Sequence, residues 1–240
     1  MRSICLKSDL EVSLLNLTER IKQMALEHVD LVGVSDAQKY DAVPSGKKPG
    51  DLLPGARSVV VVAHELNRSL TAPLSVSKQT GEVTTRKVYD GHLDATNKAL
   101  NLVTHVVGRF LGKQGYKWMA LPTDGITDAG TLSGLFSFKH AAVLSGLGRF
   151  GRHSLVLTPQ HGPRQRFAVL LTDAELEPDP ELSQPDPCAG CHVCLDVCPP
   201  KVLFEASAGR PYAIDRFQCQ AFNAGSGGCG LCLARCPAGL

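Results

Sequence analysis

Hydrophobic positions along the first 175 residues follow two periods, which predict alternating helices and strands. Apolar residues that recur every three or four positions predict helices at 9–27, 89–114 and 138–145. Short apolar runs rich in β-branched residues, which favour extended chain, predict strands at 29–34, 59–63, 118–121, 154–158 and 166–172. Polar, Gly-rich or Pro-rich stretches predict loops at 37–56 and 122–136 and a surface excursion at 66–85. The pattern therefore predicts a mixed α/β domain.

The pattern changes after residue 175. Residues 175–187 contain four prolines and five acidic residues, a composition typical of a linker. Beyond it, cysteine spacing replaces hydrophobic periodicity. A chain of 240 residues has room for one sizeable core and a small module. We therefore predict a first domain at residues 1–175 and a second at 176–240.

Two cysteine runs dominate the second domain. The first run consists of Cys188, Cys191, Cys194, Cys198 and Pro199. It fits C-x2-C-x2-C-x3-C-P, the run of bacterial two-cluster ferredoxins. The second run, with its leading cysteine displaced to C-x9-C-x2-C-x3-C-P, consists of Cys219, Cys229, Cys232, Cys236 and Pro237. Eight thiolates are the number that two 4Fe–4S clusters require.

The fourth cysteine of such a run ligates the other cluster in two-cluster ferredoxins. We therefore assign one cluster to Cys188, Cys191, Cys194 and Cys236. The other cluster is assigned to Cys198, Cys219, Cys229 and Cys232. Zinc ribbons and disulfides are the alternatives, but zinc favours separate C-x2-C pairs and disulfides suit small secreted chains. Cys5 belongs to neither run, and we expect it to be an ordinary thiol.

Composition bounds the location and the partners. The hydrophobic fraction is 43%, ordinary for a soluble protein, and no apolar run approaches the roughly 20 residues that cross a bilayer. The N-terminal residues carry neither a long apolar core nor a twin arginine. Together with oxygen-sensitive clusters, these features predict a cytoplasmic protein without a membrane partner. A net charge of +2 and the lack of a basic run interleaved with aromatics argue against nucleic acid.

A glycine-rich stretch in the first domain resembles a nucleotide motif. Gly146, Gly148 and Gly151 fit G-x-G-x-x-G, but that fingerprint needs a strand before it and a helix after it. Here the predicted order is reversed, so we do not predict a dinucleotide site. Two interpretations remain open. The stretch is either a closely packed connection, or a loop of free amides that, with Arg152, faces a phosphate or a corrin side chain.

Four parts of the chain resemble the epoxyqueuosine reductase and reductive dehalogenase superfamily. They are LLPGARSVV at 52–60, KHAAVLSGLGRFGRHSLVL at 139–157, GPRQRFAVLLTD at 162–173, and the double cysteine module. The similarity extends over most of the chain from about residue 50. The combination of Gly-Leu-Gly-x-x-Gly-Arg with a two-cluster module is specific to this superfamily, whereas either half alone is less so.

The resemblance implies a fold and a cofactor. Residues 1–175 would form a nitroreductase-like α/β (α+β) domain that binds cobalamin, and residues 176–240 a bacterial ferredoxin-like module. Cobalt would have no protein histidine ligand, and a tyrosine and an aspartate beside it would handle protons. Tyr89 and Asp124 are the candidates for these catalytic roles. The candidate cofactor-binding residues are Gly146, Gly148, Gly151, Arg152, His153 and Ser154.

The main functional hypothesis is a cobalamin-dependent reductase. Two 4Fe–4S clusters, supplied by an external donor such as flavodoxin or ferredoxin, would pass electrons to cobalt, which reduces a small molecule. The alternatives are a cobalamin-handling protein that reduces bound corrinoid for another enzyme, and a simple two-cluster electron carrier. The sequence ends four residues after Cys236, without the helical repeats that hold tRNA in epoxyqueuosine reductases, so we expect a small substrate. The resemblance also suggests a homodimer.

Overall fold

The computed structural model of the protein describes residues 16–43, 46–76, 83–123, 127–205 and 212–239. Its helices are α1 (Leu17–Leu26), α2 (Pro49–Leu52), α3 (Arg68–Thr71), α4 (Thr84–Lys113), α5 (Phe138–Leu144), α6 (Val193–Val197), α7 (Arg216–Gly225) and α8 (Leu231–Arg235). Its strands are β1 (Leu31–Asp36), β2 (Ser58–Glu65), β3 (Trp118–Leu121), β4 (Thr127–Asp128), β5 (Ser133–Gly134), β6 (Arg149–Phe150), β7 (Val156–Leu157), β8 (Gln165–Thr172), β9 (Leu203–Phe204) and β10 (Ala213–Ile214).

A four-stranded sheet in the order β1-β2-β8-β3 forms the centre of the first domain. Every neighbouring pair in it is antiparallel, with Val60 opposite Val34 on one side and Leu170 on the other. The mixed α/β prediction is confirmed. The antiparallel pairing makes the arrangement α+β, because parallel βαβ units are not used in this sheet.

Strand β2 divides the hydrophobic core into two halves. Val60 and Val62 face a cluster that includes α1 and α4, whereas Val59 and Val61 face a second cluster that includes α5. All four valines are at most 1% exposed. A strand that is covered on both faces is apolar at successive positions, which explains the uninterrupted valine run.

Helix α4 is the longest element and extends five residues further towards the N-terminus than predicted. Its C-terminal end follows the prediction, because Gly115 adopts a left-handed φ of 89°. The Tyr116 N–H donates to the Leu111 carbonyl at 3.1 Å, and the Gly115 N–H donates to the Gly112 carbonyl at 3.1 Å. This pair of bonds is the Schellman motif, which ends a helix at a glycine.

Residues 37–56 were predicted as one loop, and that prediction is wrong. A 3₁₀ helix occupies Ala37–Ala42, and α2 occupies Pro49–Leu52. The Asp36 carboxylate accepts the Gln38 N–H at 2.8 Å and so caps the first turn, and Pro49 opens α2 with a preset φ. Both signals are local caps in a polar stretch, where hydrophobic periodicity carries no information.

The stretch predicted as a linker contains no helix or strand, and it is pinned to the first domain. The Asp179 carboxylate pairs with the Lys22 amine at 2.5 Å and accepts the Val34 N–H at 2.8 Å. Leu176 is buried in the same core half as α1. The stretch is therefore a fixed strap along the first domain. Across the described ranges, no helix is both long and apolar enough to span a membrane.

Candidate metal centre

The cysteines of the second domain gather into two groups of thiols. The first thiol group consists of Cys188, Cys191, Cys194 and Cys236. These four cysteines, with Pro237 and Ala238, line a small cavity of about 20 Å³ that is partly open to solvent. Burial, followed by the charges of the other three thiols, raises the pKa of Cys194 to about 11. Cys236 joins this group although it lies in the second cysteine run.

Backbone amides of two other segments face the first thiol group. The Arg152 N–H faces the Cys188 sulfur, and the Ala238 N–H faces the Cys236 sulfur. Both contacts lower a thiol pKa that burial raises. Amides that point at ligand sulfurs stabilise negative charge there and adjust the potential of a bound cluster.

The second thiol group consists of Cys198, Cys219, Cys229 and Cys232. Burial and then the Cys229 and Cys219 thiols raise the pKa of Cys232 to about 12. Cys198 and Cys229 are likewise the thiols that raise the pKa of Cys219 most, after burial. Helices α6 and α8, which carry Cys194 and Cys232, pack against each other. The helix pairing explains how the two runs exchange Cys198 and Cys236.

Raised thiol pKa values mean that these sites disfavour free negative charge. A bound cationic centre reverses that preference and makes the thiolates favourable. Among the described residues, no three His, Cys, Asp or Glu side chains converge on the position of a single metal ion. The first group instead surrounds a cavity. The donor set of four soft thiolates fits an iron–sulfur cluster, and its ligation of iron stays a prediction.

Arg164 fixes the C-terminal residues of the module to the first domain. Its guanidinium donates to the Ala238 carbonyl at 2.8 Å, to the Gly239 carbonyl at 2.7 Å, and to the Cys236 carbonyl at 3.5 Å. Arg164 is 3% exposed, and desolvation lowers its pKa. The backbone of Gly162 lies so close that a Cβ there would be 1.9 Å from the Ala238 oxygen. Cys236 is thus positioned by residues immediately before strand β8.

The three glycines of the G-x-G-x-x-G stretch all lie against other parts of the chain. A Cβ at Gly146 would be 2.3 Å from the Pro180 oxygen, and one at Gly148 would be 2.4 Å from the Leu157 oxygen. One at Gly151 would be 2.8 Å from the His153 ring. The stretch follows α5, contains β6 and leads into β7. This geometry matches the closely packed interpretation and leaves no open phosphate cradle at these three residues.

The other three predicted cofactor-binding residues lie between the two domains. The Arg152 guanidinium is bound by the Glu205 carboxylate. His153 is 4% exposed and lines the cavity of the first thiol group. Ser154 has a left-handed φ of 67°, and its carbonyl accepts the Lys139 amine at 2.8 Å. The structure therefore directs Arg152 and His153 towards the cysteine module.

The structure describes only one of the two predicted catalytic residues, Tyr89. Asp124 lies outside the described residues. Tyr89, on α4, is 8% exposed and packs with Leu66, Leu74 and Leu233. Burial raises the pKa of Tyr89, whereas the nearby Arg166 and Arg86 lower it; Cys232 also lies within its electrostatic range. Tyr89 thus adjoins the second thiol group.

Two cations were not among the predicted site residues: Arg166, which lies near Tyr89, and Lys139, which lies near Arg166 and the second thiol group. Lys139 is an exposed residue, but its amine reaches the buried Ser154. Desolvation lowers the pKa of Lys139, and the charges of Cys232 and Cys219 raise it. The Arg166 guanidinium donates to the Asn97 side-chain oxygen at 3.0 Å. Both residues occur in the segments that carry the family resemblance, and that resemblance was the sequence signal that could have identified them as site candidates. We name Tyr89, Lys139 and Arg166 the polar face.

Comparisons with known proteins return reductases. An epoxyqueuosine reductase of Bacillus cereus is 25% identical over 207 residues, which cover 85% of this chain and 49% of that protein. A tetrachloroethene reductive dehalogenase of Desulfitobacterium hafniense is 38% identical over 115 residues, covering 40% of this chain and 21% of that protein. The superfamily resemblance is confirmed. No family model matches the chain.

Solved structures of both families share the fold. An epoxyqueuosine reductase with an epoxyqueuosine-modified tRNA stem loop superposes with a TM-score of 0.61 at 19% identity, covering 93% of this chain and 65% of that one. The catabolic reductive dehalogenase NpRdhA superposes with a TM-score of 0.71 at 18% identity, covering 92% of this chain and 32% of that one. The homologues are oxidoreductases, and the chain spans about half the length of the Bacillus cereus relative and less of the dehalogenases.

Proposed function

We propose that this protein is an iron–sulfur, corrinoid-dependent reductase. The observation that carries the proposal is the pair of crossed thiol groups, of which the second adjoins the polar face of the first domain. An electron carrier alone needs no such polar face. The homologues support a reductase, since both matched families are named for reductive reactions.

The first thiol group and the second thiol group would each hold one 4Fe–4S cluster. The support is the donor set of four thiols per group, the cavity walled by the first group, and the amides of Arg152 and Ala238 that face its sulfurs. Bound clusters supply single electrons at low potential. The chain contributes burial, hydrogen bonds to sulfur and the fixed distance between the two groups.

The polar face would receive the corrinoid. Lys139 and Arg166 are donors and carry positive charge, whereas a corrinoid presents amide oxygens and a phosphate as acceptors. A reductive dehalogenase described as B12-dependent has the same fold, with a TM-score of 0.69 at 18% identity over 91% of this chain. A bound corrinoid supplies the reducing centre. Tyr89, held in a buried cluster beside it, would orient the substrate and carry a proton at its hydroxyl.

The substrate we propose is a small molecule, with flavodoxin or ferredoxin as the electron donor. One epoxyqueuosine reductase with this fold holds a tRNA stem loop, so tRNA is the competing substrate class. The chain as a whole carries a net charge of only +2. Strong phosphate-backbone binding needs clustered positive charge, and this balance favours the small molecule.

Anaerobic reconstitution tests the proposal. The chain is loaded with iron and sulfide, mixed with hydroxocobalamin, gel-filtered, and its absorbance spectrum is recorded before and after a low-potential reductant. We expect two clusters per chain and stoichiometric corrinoid whose spectrum changes on reduction. Clusters without retained corrinoid would leave only an electron carrier, and the absence of clusters would refute the proposal entirely. Retained corrinoid that is reduced only for a partner enzyme would favour the handling protein.

A further inference from the structure

His153 is the one buried side chain at the cavity of the first thiol group whose polar atom lacks a partner among the described residues. The residue is 4% exposed and lines the cavity together with Cys188, Cys191, Cys194 and Cys236. Its Nε2 atom is buried without a hydrogen-bond partner. Leaving a buried polar group unpaired costs about 1–3 kcal/mol, so the position calls for an acceptor that the described residues do not supply.

The tautomer of His153 follows from its other nitrogen. The Leu155 N–H donates to Nδ1 at 3.2 Å, so Nδ1 is the acceptor and Nε2 carries the hydrogen of the neutral ring. A ring whose Nδ1 accepts a hydrogen bond is neutral, and its one group without a partner among the described residues, Nε2, is a donor.

The local backbone holds the ring in this position. The Ser154 N–H donates to the Gly151 carbonyl at 2.9 Å, and Ser154 has a left-handed φ of 67°. A Cβ at Gly151 would be 2.8 Å from the His153 Cε1 atom, so only glycine leaves room for the ring. The preceding amide, that of Arg152, faces the Cys188 sulfur. The turn thus presents one amide and one imidazole to the same thiol group.

We propose that His153 donates a hydrogen bond from Nε2 to a sulfur of the cluster held by the first thiol group, and thereby raises the reduction potential of that cluster. The inference rests on the proposed function in that the first thiol group must hold a cluster. Sulfur accepts the hydrogen that Nε2 carries, and the bond is stronger when reduction adds negative charge to the cluster. His153 is a positioning and tuning residue, and it ligates no iron.

The potentials of the reconstituted protein test the inference. Redox titration followed by electron paramagnetic resonance is compared between the wild type and His153→Leu. We expect one of the two clusters to shift to lower potential in His153→Leu, and that cluster to be the one absent from Cys188→Ala. His153→Gln, which keeps an N–H near the position of Nε2, is expected to recover part of the shift. His192→Leu is the matched control, because its Nε2 already pairs with Glu205 at 3.0 Å.

A second readout does not depend on how well the variants fold. Protein with ¹⁵N-labelled histidine is reduced in H₂O and in D₂O, and electron–nuclear double resonance measures coupling to the cluster spin. We expect a histidine nitrogen that carries an exchangeable proton to be coupled in the wild type and in His192→Leu, in addition to the exchangeable amide protons of Arg152 and Ala238. Wild-type clusters without that coupling, or unchanged potentials in an assembled His153→Leu protein, would overturn the inference alone. A wild-type chain that assembles no cluster would instead overturn the proposed function.

Discussion

Replacing Gly162 by alanine should detach the C-terminal residues from the first domain and remove one cluster. Gly162 has a left-handed φ of 56°, and a Cβ there would lie 1.9 Å from the Ala238 oxygen and 2.6 Å from its carbonyl carbon. Those are backbone atoms, which cannot rotate away as a side-chain end can. Relief therefore requires the segment after Cys236 to move.

The magnitude follows from what that movement breaks. A left-handed alanine costs roughly 1–2 kcal/mol by itself. Displacing Ala238 and Gly239 also breaks two hydrogen bonds from the buried Arg164, at 2.8 and 2.7 Å, each worth about 1.5–3 kcal/mol with a charged donor. We expect Gly162→Ala to lower the free energy of unfolding by at least about 3 kcal/mol more than a left-handed alanine at a position without these contacts.

Gly55→Ala is the matched control. Gly55 also has a left-handed φ, 86°, and nothing lies within 4 Å of a Cβ placed there. Urea unfolding of the cluster-free chains compares stabilities, and the iron content after reconstitution compares cluster assembly. We expect wild-type iron in Gly55→Ala and about half of it in Gly162→Ala, since only the second thiol group keeps its four cysteines. Equal stability and equal iron in the two variants would refute this explanation.

Three further predictions use matched pairs or a defined pH window. Gly108→Ala should destabilise the chain by about 1–2 kcal/mol although alanine is the better helix former, because a Cβ there would be 2.2 Å from the Trp118 ring. Gly91→Ala, in open space on the same helix, should stabilise the chain by up to about 1 kcal/mol in urea unfolding. Burial, then repulsion from Lys139, lowers the pKa of His140 below 6.5, so the unfolded chain binds more protons below that pH and the free energy of unfolding falls as the pH falls. His140→Gln should reduce the slope of the unfolding free energy against pH, by at most about 1.4 kcal/mol per pH unit. An unchanged slope would contradict the assignment. Lys139→Met should weaken hydroxocobalamin binding about tenfold, the loss of one charge-assisted contact, whereas Lys98→Met, on an exposed lysine paired with Asp94, should leave the dissociation constant unchanged.

Hydrophobic periodicity predicted the elements whose burial is uniform along their length. The valine run of β2 and the stripe of α4 are such elements, and β3 agrees with its predicted bounds. The pattern did not reveal the 3₁₀ helix at Ala37–Ala42 or α2, because short capped turns depend on single hydrogen bonds and not on a repeating apolar face. The two-residue strand β7 lies within the strand predicted at 154–158, whereas β6 lies in the Gly-rich stretch, where no strand was predicted.

Cysteine spacing predicted which thiols lie together, because ligands two or three residues apart are confined by local geometry. The crossing of Cys198 and Cys236 follows from the helix pairing of α6 with α8. The long-range contacts could not be predicted this way. Arg164 meets the carbonyls after Cys236 across more than 70 residues, and Lys139 reaches Ser154 from α5. Such contacts depend on how the sheet, α5 and the module pack, which no single segment encodes.

The crossed thiol groups are the observation on which the proposed function rests, and cluster loss in cysteine variants tests them directly. Cys236→Ala, Cys188→Ala and Cys232→Ala are reconstituted, reduced and compared by iron content and electron paramagnetic resonance. We predict that Cys236→Ala and Cys188→Ala each retain about half of the wild-type iron and give the same residual spectrum. Cys232→Ala should give the complementary spectrum. A Cys236→Ala spectrum that matches Cys232→Ala, its neighbour in sequence, would contradict the account.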